Sequence, residues 1–191
     1  MTRLFIALEL PVEQKKDIIA LQEKSKAYLE GIRWVKPEGL HLTLKFLGET
    51  EEEKIPEIIN ALDLVGSRVN SFQVAYGKSG VFPSPKKARV FWVGLIKGLE
   101  TINSLASDME LSMVTCGFTA EKRKFTPHLT IGRSRGTVKE SLTRRFLEET
   151  KSFKTVPYPV NRILLYESKL TPRGAIYTIR HETQFLPCDN K

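Results

Sequence analysis

Apolar and polar positions along the chain alternate with the period of strands in some segments and of helices in others. Short apolar runs at residues 3–8 and 90–95 predict buried strands. Each run precedes a segment whose apolar residues recur at helical intervals, beginning near Ile18 in the first case and at Leu99 in the second. Further strands are predicted at residues 72–76, 162–166 and 175–185.

The same order of elements occurs twice. When the chain is shifted by 87 residues, 3–8 falls on 90–95 and His41-Leu-Thr-Leu44 falls on His128-Leu-Thr-Ile131. We therefore expect an α+β protein with a single bilobal domain over residues 1–191. Each of its two pseudo-symmetric lobes would be a largely antiparallel sheet flanked by helices, and the lobes would interleave at both ends. Matching lobes usually leave a central cleft, and here each lobe would contribute one motif to it.

A second helix is predicted after each motif, and its start is also repeated. Thr50-Glu-Glu-Glu53 and Thr137-Val-Lys-Glu140 both fit the S/T-x-x-E capping box, in which a hydroxyl and a carboxylate accept hydrogen bonds from the first backbone amides of a helix. The two threonines are again 87 residues apart. We expect each threonine to cap its helix.

Two of the three histidines begin the repeated tetrapeptide. Given the first copy, a second one has a chance probability on the order of one in a thousand at ordinary residue usage. On a strand, His41 and Thr43 would share one face, as would His128 and Thr130, with the two residues of each pair about 6.6 Å apart. An imidazole and a hydroxyl at that spacing can hold one small anion between them. The third histidine, His181, lacks the motif, and we expect it at the surface or in a local pair.

Two such faces in one cleft would suit acid–base displacement at phosphorus. One imidazole would be neutral and accept a proton from the attacking hydroxyl, and the other would be protonated and donate to the leaving oxygen. Thr43 and Thr130 would donate hydrogen bonds to the non-bridging oxygens. This chemistry requires no cofactor and no metal. The structural alternative is that both histidines are half-buried strand residues with satisfied hydrogen bonds.

Charge and composition narrow the class of partner. The formal charge is +8, and residues 121–145 alone contain eight basic and two acidic side chains, which favours a nucleic-acid backbone as partner. The longest run without a charged residue is ten residues, 111–120, too short for a membrane span. The two cysteines lack the spacing of a disulfide framework or a zinc site. The N-terminal run contains Glu9 and lacks a cleavage site, so we expect a cytoplasmic protein without membrane contact.

The two motifs in their context, Leu40-His-Leu-Thr-Leu-Lys-Phe-Leu-Gly-Glu49 and Pro127-His-Leu-Thr-Ile-Gly-Arg133, resemble the paired HxTx signature of the two-histidine phosphoesterase superfamily. Nearly the whole chain is similar to its RNA 2′,3′-cyclic phosphodiesterase branch, also called 2′-5′ RNA ligase-like (LigT/ThpR). The resemblance implies hydrolysis of an RNA 2′,3′-cyclic phosphate to a 2′-phosphomonoester, and reversible 2′-5′ ligation when an RNA 5′-hydroxyl replaces water. It also implies that His41 is the proton donor and His128 the acceptor.

Four further residues are candidates for substrate binding: Arg133, Trp34, Phe46 and Lys124. The family often places an arginine after the second motif, but strand alternation predicts that Arg133 points away from His128 unless Gly132 introduces a bulge. Trp34 and Phe46 could stack on a base, whereas Trp92 is expected in the core. Lys124 belongs to the basic stretch before the second motif.

The expected partner is an RNA with a 2′,3′-cyclic phosphate end, with tRNA fragments as one candidate, bound by a monomer. Two other functions stay open from the sequence. One is a phosphodiesterase for small cyclic nucleotides, and the other is an RNA- or nucleotide-binding module without turnover.

Overall fold

A computed structural model describes residues 1–172 and 174–188 of the chain, and its elements follow the predicted order. In this part of the chain, no helix is long and apolar enough to span a membrane. The elements are β1 (Thr2–Glu9), α1 (Val12–Lys26), β2 (Ile32–Trp34), β3 (His41–Thr50), α2 (Ile55–Gly66), β4 (Phe72–Phe82), β5 (Val90–Lys97), α3 (Leu99–Thr115), β6 (Leu129–Ser134), α4 (Glu140–Glu149), β7 (Tyr158–Val160), β8 (Arg162–Thr171) and β9 (Gly174–Gln184).

The strands form two sheets. The first has the order β3-β1-β8-β9 and the second has the order β2-β6-β5-β4-β7. Every pairing between these named strands is antiparallel. The predicted α+β class, with two antiparallel sheets flanked by helices, is therefore confirmed.

Both halves of the chain contribute to both sheets. β4 lies in the first half of the sequence but pairs with β5, whereas β8 comes from the second half and pairs with β1. The helices follow the same exchange. Gln14 and Gln22 of α1 donate hydrogen bonds to the carbonyl oxygens of Val74 in β4 and Ile131 in β6, so the first helix packs on the second sheet. α2 packs against β8 and β9 of the first sheet.

A large apolar core lies on one face of both sheets. Its buried side chains include Leu42 and Leu44 from the first motif and Leu129 and Ile131 from the second. Because successive side chains on a strand point to opposite faces, the leucine after each motif histidine anchors the strand in the core. The histidine and threonine of each motif are left on the opposite face, where both side chains are half-buried.

The predicted capping boxes are wrong, although both helices exist. Thr50 is the last residue of β3, and its hydroxyl donates a hydrogen bond to the Gly48 carbonyl oxygen. A 3-10 turn then precedes α2, and neither α2 nor α4 has a side-chain hydrogen bond at its N-cap. The local pattern was correct about where helices follow the motifs, but the strand retains Thr50 and with it the hydroxyl that would have formed the cap.

Candidate active site

The two motifs lie on strands that approach each other where the two sheets meet. β3 is the edge strand of the first sheet, and Cα atoms of β3 and β6 come within 8 Å of each other although the two strands belong to different sheets. β2 pairs with residues 132–134 of β6, and the Val35 amide extends the contact to the Ile131 carbonyl oxygen, which leaves Leu129 and Thr130 uncovered by β2. The beginning of β6, next to His128, is therefore free to face the neighbouring sheet.

Three aromatic rings surround the imidazole of His41. Its ring centroid lies 4.7 Å from that of Phe5, 5.1 Å from Tyr177 in an edge-on arrangement, and 5.8 Å from Tyr166. Phe5 and Tyr166 belong to a small buried cluster that is separate from the main core and is covered by Tyr177. These contacts restrict the imidazole to one region of the motif face.

This environment disfavours the charged form of His41. Burial is the main cause, and the positive charge of Lys15 adds to it; together they lower the pKa of His41 from 6.5 to about 4. Glu9 lies directly opposite His41 on β1, but its carboxylate is bound to Lys15 at 3.2 Å and to Arg162 at 2.8 Å. In the free protein at neutral pH, His41 is therefore a neutral imidazole.

His128 is held by one hydrogen bond and two aromatic rings. Its Nδ1 lies 2.7 Å from the carbonyl oxygen of Thr126, and because a carbonyl only accepts, Nδ1 carries the proton. The ring meets Phe82 edge-on at 5.1 Å and lies 6.2 Å from Trp92. Trp92 is thus half-buried beside His128 on the motif face, which corrects its predicted place in the core. In the neutral ring, Nε2 is left with a free lone pair.

A β-bulge follows each motif and changes which later side chains share its face. On β3, Thr43 pairs with Ala7 and Phe46 pairs with Phe5, with Leu44 as the extra residue. Since Phe5 and Ala7 lie two positions apart on β1, Phe46 returns to the face of Thr43.

The same change of register occurs on β6, 87 residues later. Thr130 pairs with Trp92 and Arg133 pairs with Val90, with Ile131 as the extra residue. Arg133 therefore lies on the same face as Thr130, contrary to simple strand alternation. From the sequence, Arg133 is expected to point away from the motif unless a bulge occurs at Gly132. The extra residue Ile131 is such a bulge.

The other two candidate substrate residues are placed differently. Trp34 pairs with Gly132 and packs against the main core, on the opposite face of its strand from Arg33. A Cβ on Gly132 would lie 2.7 Å from Ile32 Cγ2 and 3.1 Å from Trp34 Cε3, so this packing depends on the glycine. Lys124 is exposed in the segment before β6, and no strand or helix carries it toward the motifs. Phe46, by contrast, is 66% exposed on the motif face, with its ring 6.0 Å from Phe5.

Arg33 also lies on the motif face, although the sequence does not predict it there. Arg33 of β2 is the direct cross-strand partner of Arg133. Directly opposed residues of an antiparallel pair share a face, so Arg33 belongs with Arg133 and Thr130. The sequence offered no signal for this, because a three-residue strand has no readable alternation and its partner cannot be inferred locally.

Ion pairs reduce the basic character of residues 121–145. Arg123 pairs with Glu121, Arg144 with Glu140, and Arg145 with Glu149. Within residues 1–172 and 174–188, five exposed cations of this segment have no acidic partner: Lys122, Lys124, Arg133, Arg135 and Lys139.

The third histidine is engaged elsewhere. His181 Nε2 lies 2.8 Å from Asp63 Oδ1, which also accepts a hydrogen bond from Thr183, so it joins β9 to α2 in the local pair that the sequence predicted. Among the residues that the structure describes, no group of three or more His, Cys, Asp and Glu side chains is arranged to hold a metal ion.

Two α+β lobes, each with a histidine at the start of the strand nearest the other lobe and a threonine on that strand, define the class of two-histidine phosphoesterases. The family described as LigT like Phosphoesterase matches the chain twice, at residues 8–92 and 95–177. The two matches begin 95 − 8 = 87 residues apart, which is the offset of the internal repeat. The chain belongs to this LigT-like phosphoesterase family.

Individual relatives agree with this membership. The chain is 34% identical over 180 residues to an RNA 2′,3′-cyclic phosphodiesterase of Methanocaldococcus jannaschii, covering 94% of this chain and 99% of that protein. The crystal structure of E. coli LigT complexed with 3′-AMP superimposes with a TM-score of 0.73 at 27% identity, covering 96% of this chain and 98% of that one. The crystal structure of TT0787 of Thermus thermophilus has the same fold, with a TM-score of 0.81 at 24% identity over 97% and 99% of the two chains.

Proposed function

We propose that the protein hydrolyses the 2′,3′-cyclic phosphodiester at the end of an RNA and releases a 2′-phosphomonoester. The observation that carries the proposal is the pair of strands that meet between the sheets: β3 begins at His41 and carries Thr43, and β6 begins directly after His128 and carries Thr130. The relative from Methanocaldococcus jannaschii, which is similar over almost its whole length, bears the name of this activity and supports the proposed substrate.

The proposed reaction balances with one water molecule. His128 accepts a proton from water as its oxygen attacks phosphorus, the bond from phosphorus to the 3′ oxygen breaks, and His41 donates a proton to that oxygen. The products are a 2′-phosphate and a free 3′-hydroxyl. Proton exchange with solvent then restores both imidazoles. Because the two histidines supply both transfers, the proposed mechanism needs neither a metal ion nor another cofactor.

The tautomer of His128 supports its role as the base. Its Nδ1–H donates to the Thr126 carbonyl oxygen, so Nε2 has the lone pair that a general base requires. The hydrogen bond also fixes the ring and stabilises the imidazolium that forms when Nε2 takes the proton. Removal of the carbonyl partner is not possible by side-chain substitution, so this assignment is best tested at the histidine itself.

The assignment of His41 as the acid depends on substrate binding. In the free protein burial and Lys15 keep its pKa at about 4, so the ring must gain a proton before it can donate one. A phosphodiester carries a negative charge, and a negative charge within a few ångströms favours the imidazolium. We therefore propose that His41 takes up a proton when the substrate phosphate binds.

The remaining residues on the motif face fit the substrate. The hydroxyls of Thr43 and Thr130 would donate to the non-bridging oxygens, and the Arg133 guanidinium would bind the same phosphate. Phe46 offers an exposed ring on which a base can stack. Lys124 would contribute only to the general attraction of RNA, and the core-side packing of Trp34 argues against a contact with the substrate.

The finer expectations from the sequence also belong to this proposal. They are an RNA partner with a cyclic phosphate end, including tRNA fragments, action as a cytoplasmic monomer, and reversible 2′-5′ ligation. In ligation an RNA 5′-hydroxyl would replace water and give up its proton to His128. The acid–base pair is unchanged, so the reaction needs no ATP.

The test is turnover of a short RNA with a 2′,3′-cyclic phosphate end in excess EDTA. The product is analysed for whether its phosphate is on the 2′ or the 3′ oxygen. We expect a 2′-phosphate, and a loss of turnover of at least about 100-fold in His41→Ala and in His128→Ala. His181→Ala removes a histidine outside the site and should retain activity. Full activity in either motif variant would overturn the proposal, and RNA binding without turnover by the wild-type protein would identify a binding module instead.

A further inference from the structure

Two arginines face each other on the outer part of the motif face. Arg33 and Arg133 are directly opposed on β2 and β6, with Cβ atoms about 5 Å apart by the geometry of an antiparallel pair. Both are exposed, and neither has an acidic partner among residues 1–172 and 174–188. Like charges in this position destabilise a sheet, so a bound anion would remove an unfavourable interaction that the free protein keeps.

The position of the pair relative to the second motif follows from the register. Thr130 and Arg133 pair with Trp92 and Val90, which are two residues apart on β5, so the two positions are separated by about 7 Å along the strand. Arg33 lies one strand further, about 5 Å to the side. The face therefore extends from the motif threonine to Arg133 and then to Arg33.

The charge on this face exceeds what one cyclic phosphate provides. A 2′,3′-cyclic phosphodiester has one negative charge and two non-bridging oxygens, and in the proposed site Thr43, Thr130 and Arg133 already supply donors to it. Arg33 adds a further full positive charge beyond Arg133. A second phosphate would match that charge, and an RNA end longer than one nucleotide has one.

We propose that Arg33, which lies beside Arg133 and beyond the reacting phosphate, forms a subsite for the phosphodiester that precedes the terminal nucleotide of the substrate. This inference rests on the proposed function and adds to it that the site selects oligonucleotide ends over mononucleotide cyclic phosphates. Arg33 is a binding residue in this proposal, and it takes no part in proton transfer.

The test compares two substrates in the same protein: a 2′,3′-cyclic mononucleotide and a tetranucleotide with a 2′,3′-cyclic phosphate end. We expect Arg33→Gln to lower kcat/KM about tenfold on the tetranucleotide through a higher KM, and to change the mononucleotide reaction less than about twofold. The dependence of log KM on log salt for the tetranucleotide should decrease by about 0.7, the value for one single-strand phosphate contact.

Three variants and measurements serve as controls. Arg33→Lys retains the charge and should keep most of the preference for the tetranucleotide. Lys139, at the N-cap of α4, is an exposed cation of the basic stretch 121–145 that contains Arg133. It lies outside the motif face, and Lys139→Gln should behave as wild type. Thermal unfolding should show Arg33→Gln to be at least as stable as wild type, because the substitution removes a like-charge pair.

The outcomes separate the two proposals. Equal losses on both substrates would place Arg33 at the reacting phosphate, and no loss on either would show that it binds no phosphate; both results overturn the subsite. Absence of turnover on either substrate by the wild-type protein would instead overturn the proposed function.

Discussion

The unusual protonation of His41 makes the stability of the protein depend on pH. Burial and Lys15 lower the pKa of this imidazole from 6.5 to about 4 in the folded chain, while the unfolded chain keeps the ordinary value. Between those two values the unfolded state binds a proton on His41 that the folded state does not. Stability is therefore lost as the pH falls from 6.5 toward 4, and no further loss from this group occurs below that window.

The expected magnitude follows from the two pKa values. The full difference between the two pKa values of His41 corresponds to about 3 kcal/mol in the free energy of unfolding. Of this, about 2 kcal/mol is lost between about pH 7.5 and pH 5. Replacement of His41 by glutamine removes the titrating group. Over this pH interval we expect the free energy of unfolding to fall by about 2 kcal/mol more in the wild type than in His41→Gln. The comparison does not depend on how much the substitution itself changes stability at the higher pH.

Urea unfolding followed by tryptophan fluorescence at the two pH values measures this difference. Every other ionisable group is present in both proteins, so its contribution cancels in the comparison. Thr43→Val changes the neighbouring side chain on the same face without removing a titrating group and should follow the wild type. If wild type and His41→Gln lost the same free energy within about 0.5 kcal/mol, the burial of a neutral imidazole at this site would be refuted.

Three other predictions concern the packing of Trp92, a buried ion pair of β3, and proton uptake on anion binding. Gly80→Ala places a methyl group inside the Trp92 ring position, and we expect a loss of about 2 kcal/mol in urea unfolding together with reduced turnover; unchanged values for both would contradict the close approach. The buried Lys45 ammonium lies 2.7 Å from the Glu110 carboxylate, and Glu110→Gln removes this counter-charge. We expect the free energy of unfolding to fall by about 3 kcal/mol, whereas an unchanged value would show the pair to be dispensable. Calorimetric titration with sulfate at about pH 6 in buffers of different ionisation enthalpy should reveal proton uptake on binding, and its absence in the wild type would contradict the coupling to His41.

Elements with strong periodicity were predictable from the sequence, and those fixed by distant partners were not. β1, β5, α1 and α3 lie where the apolar spacing put them, and the 87-residue repeat by itself identified the two motifs. The exchange of β4 and β8 between sheets is a long-range choice that local patterns do not encode.

Two features of the site, the strand register and the packing around His41, are set by partners that are distant in the sequence. Arg133 reaches the motif face only because Ile131 is an extra residue in its ladder, and a bulge is set by the partner strand. Arg33 and Trp34 are adjacent, so one of them must face the core, but only the pairing with β6 decides which. The low pKa of His41 likewise depends on Phe5 and Tyr166, which come from strands far apart in the sequence.

In the proposed mechanism one phosphorus atom is reached by histidines from both lobes. A crystal structure of the protein with the product analogue 2′-AMP would show whether this is so. We predict a single phosphate with ring nitrogens of both His41 and His128 within hydrogen-bond distance of its oxygens. A phosphate held by one histidine alone, with the other ring too far away to share a proton with it, would rule out the two-histidine mechanism.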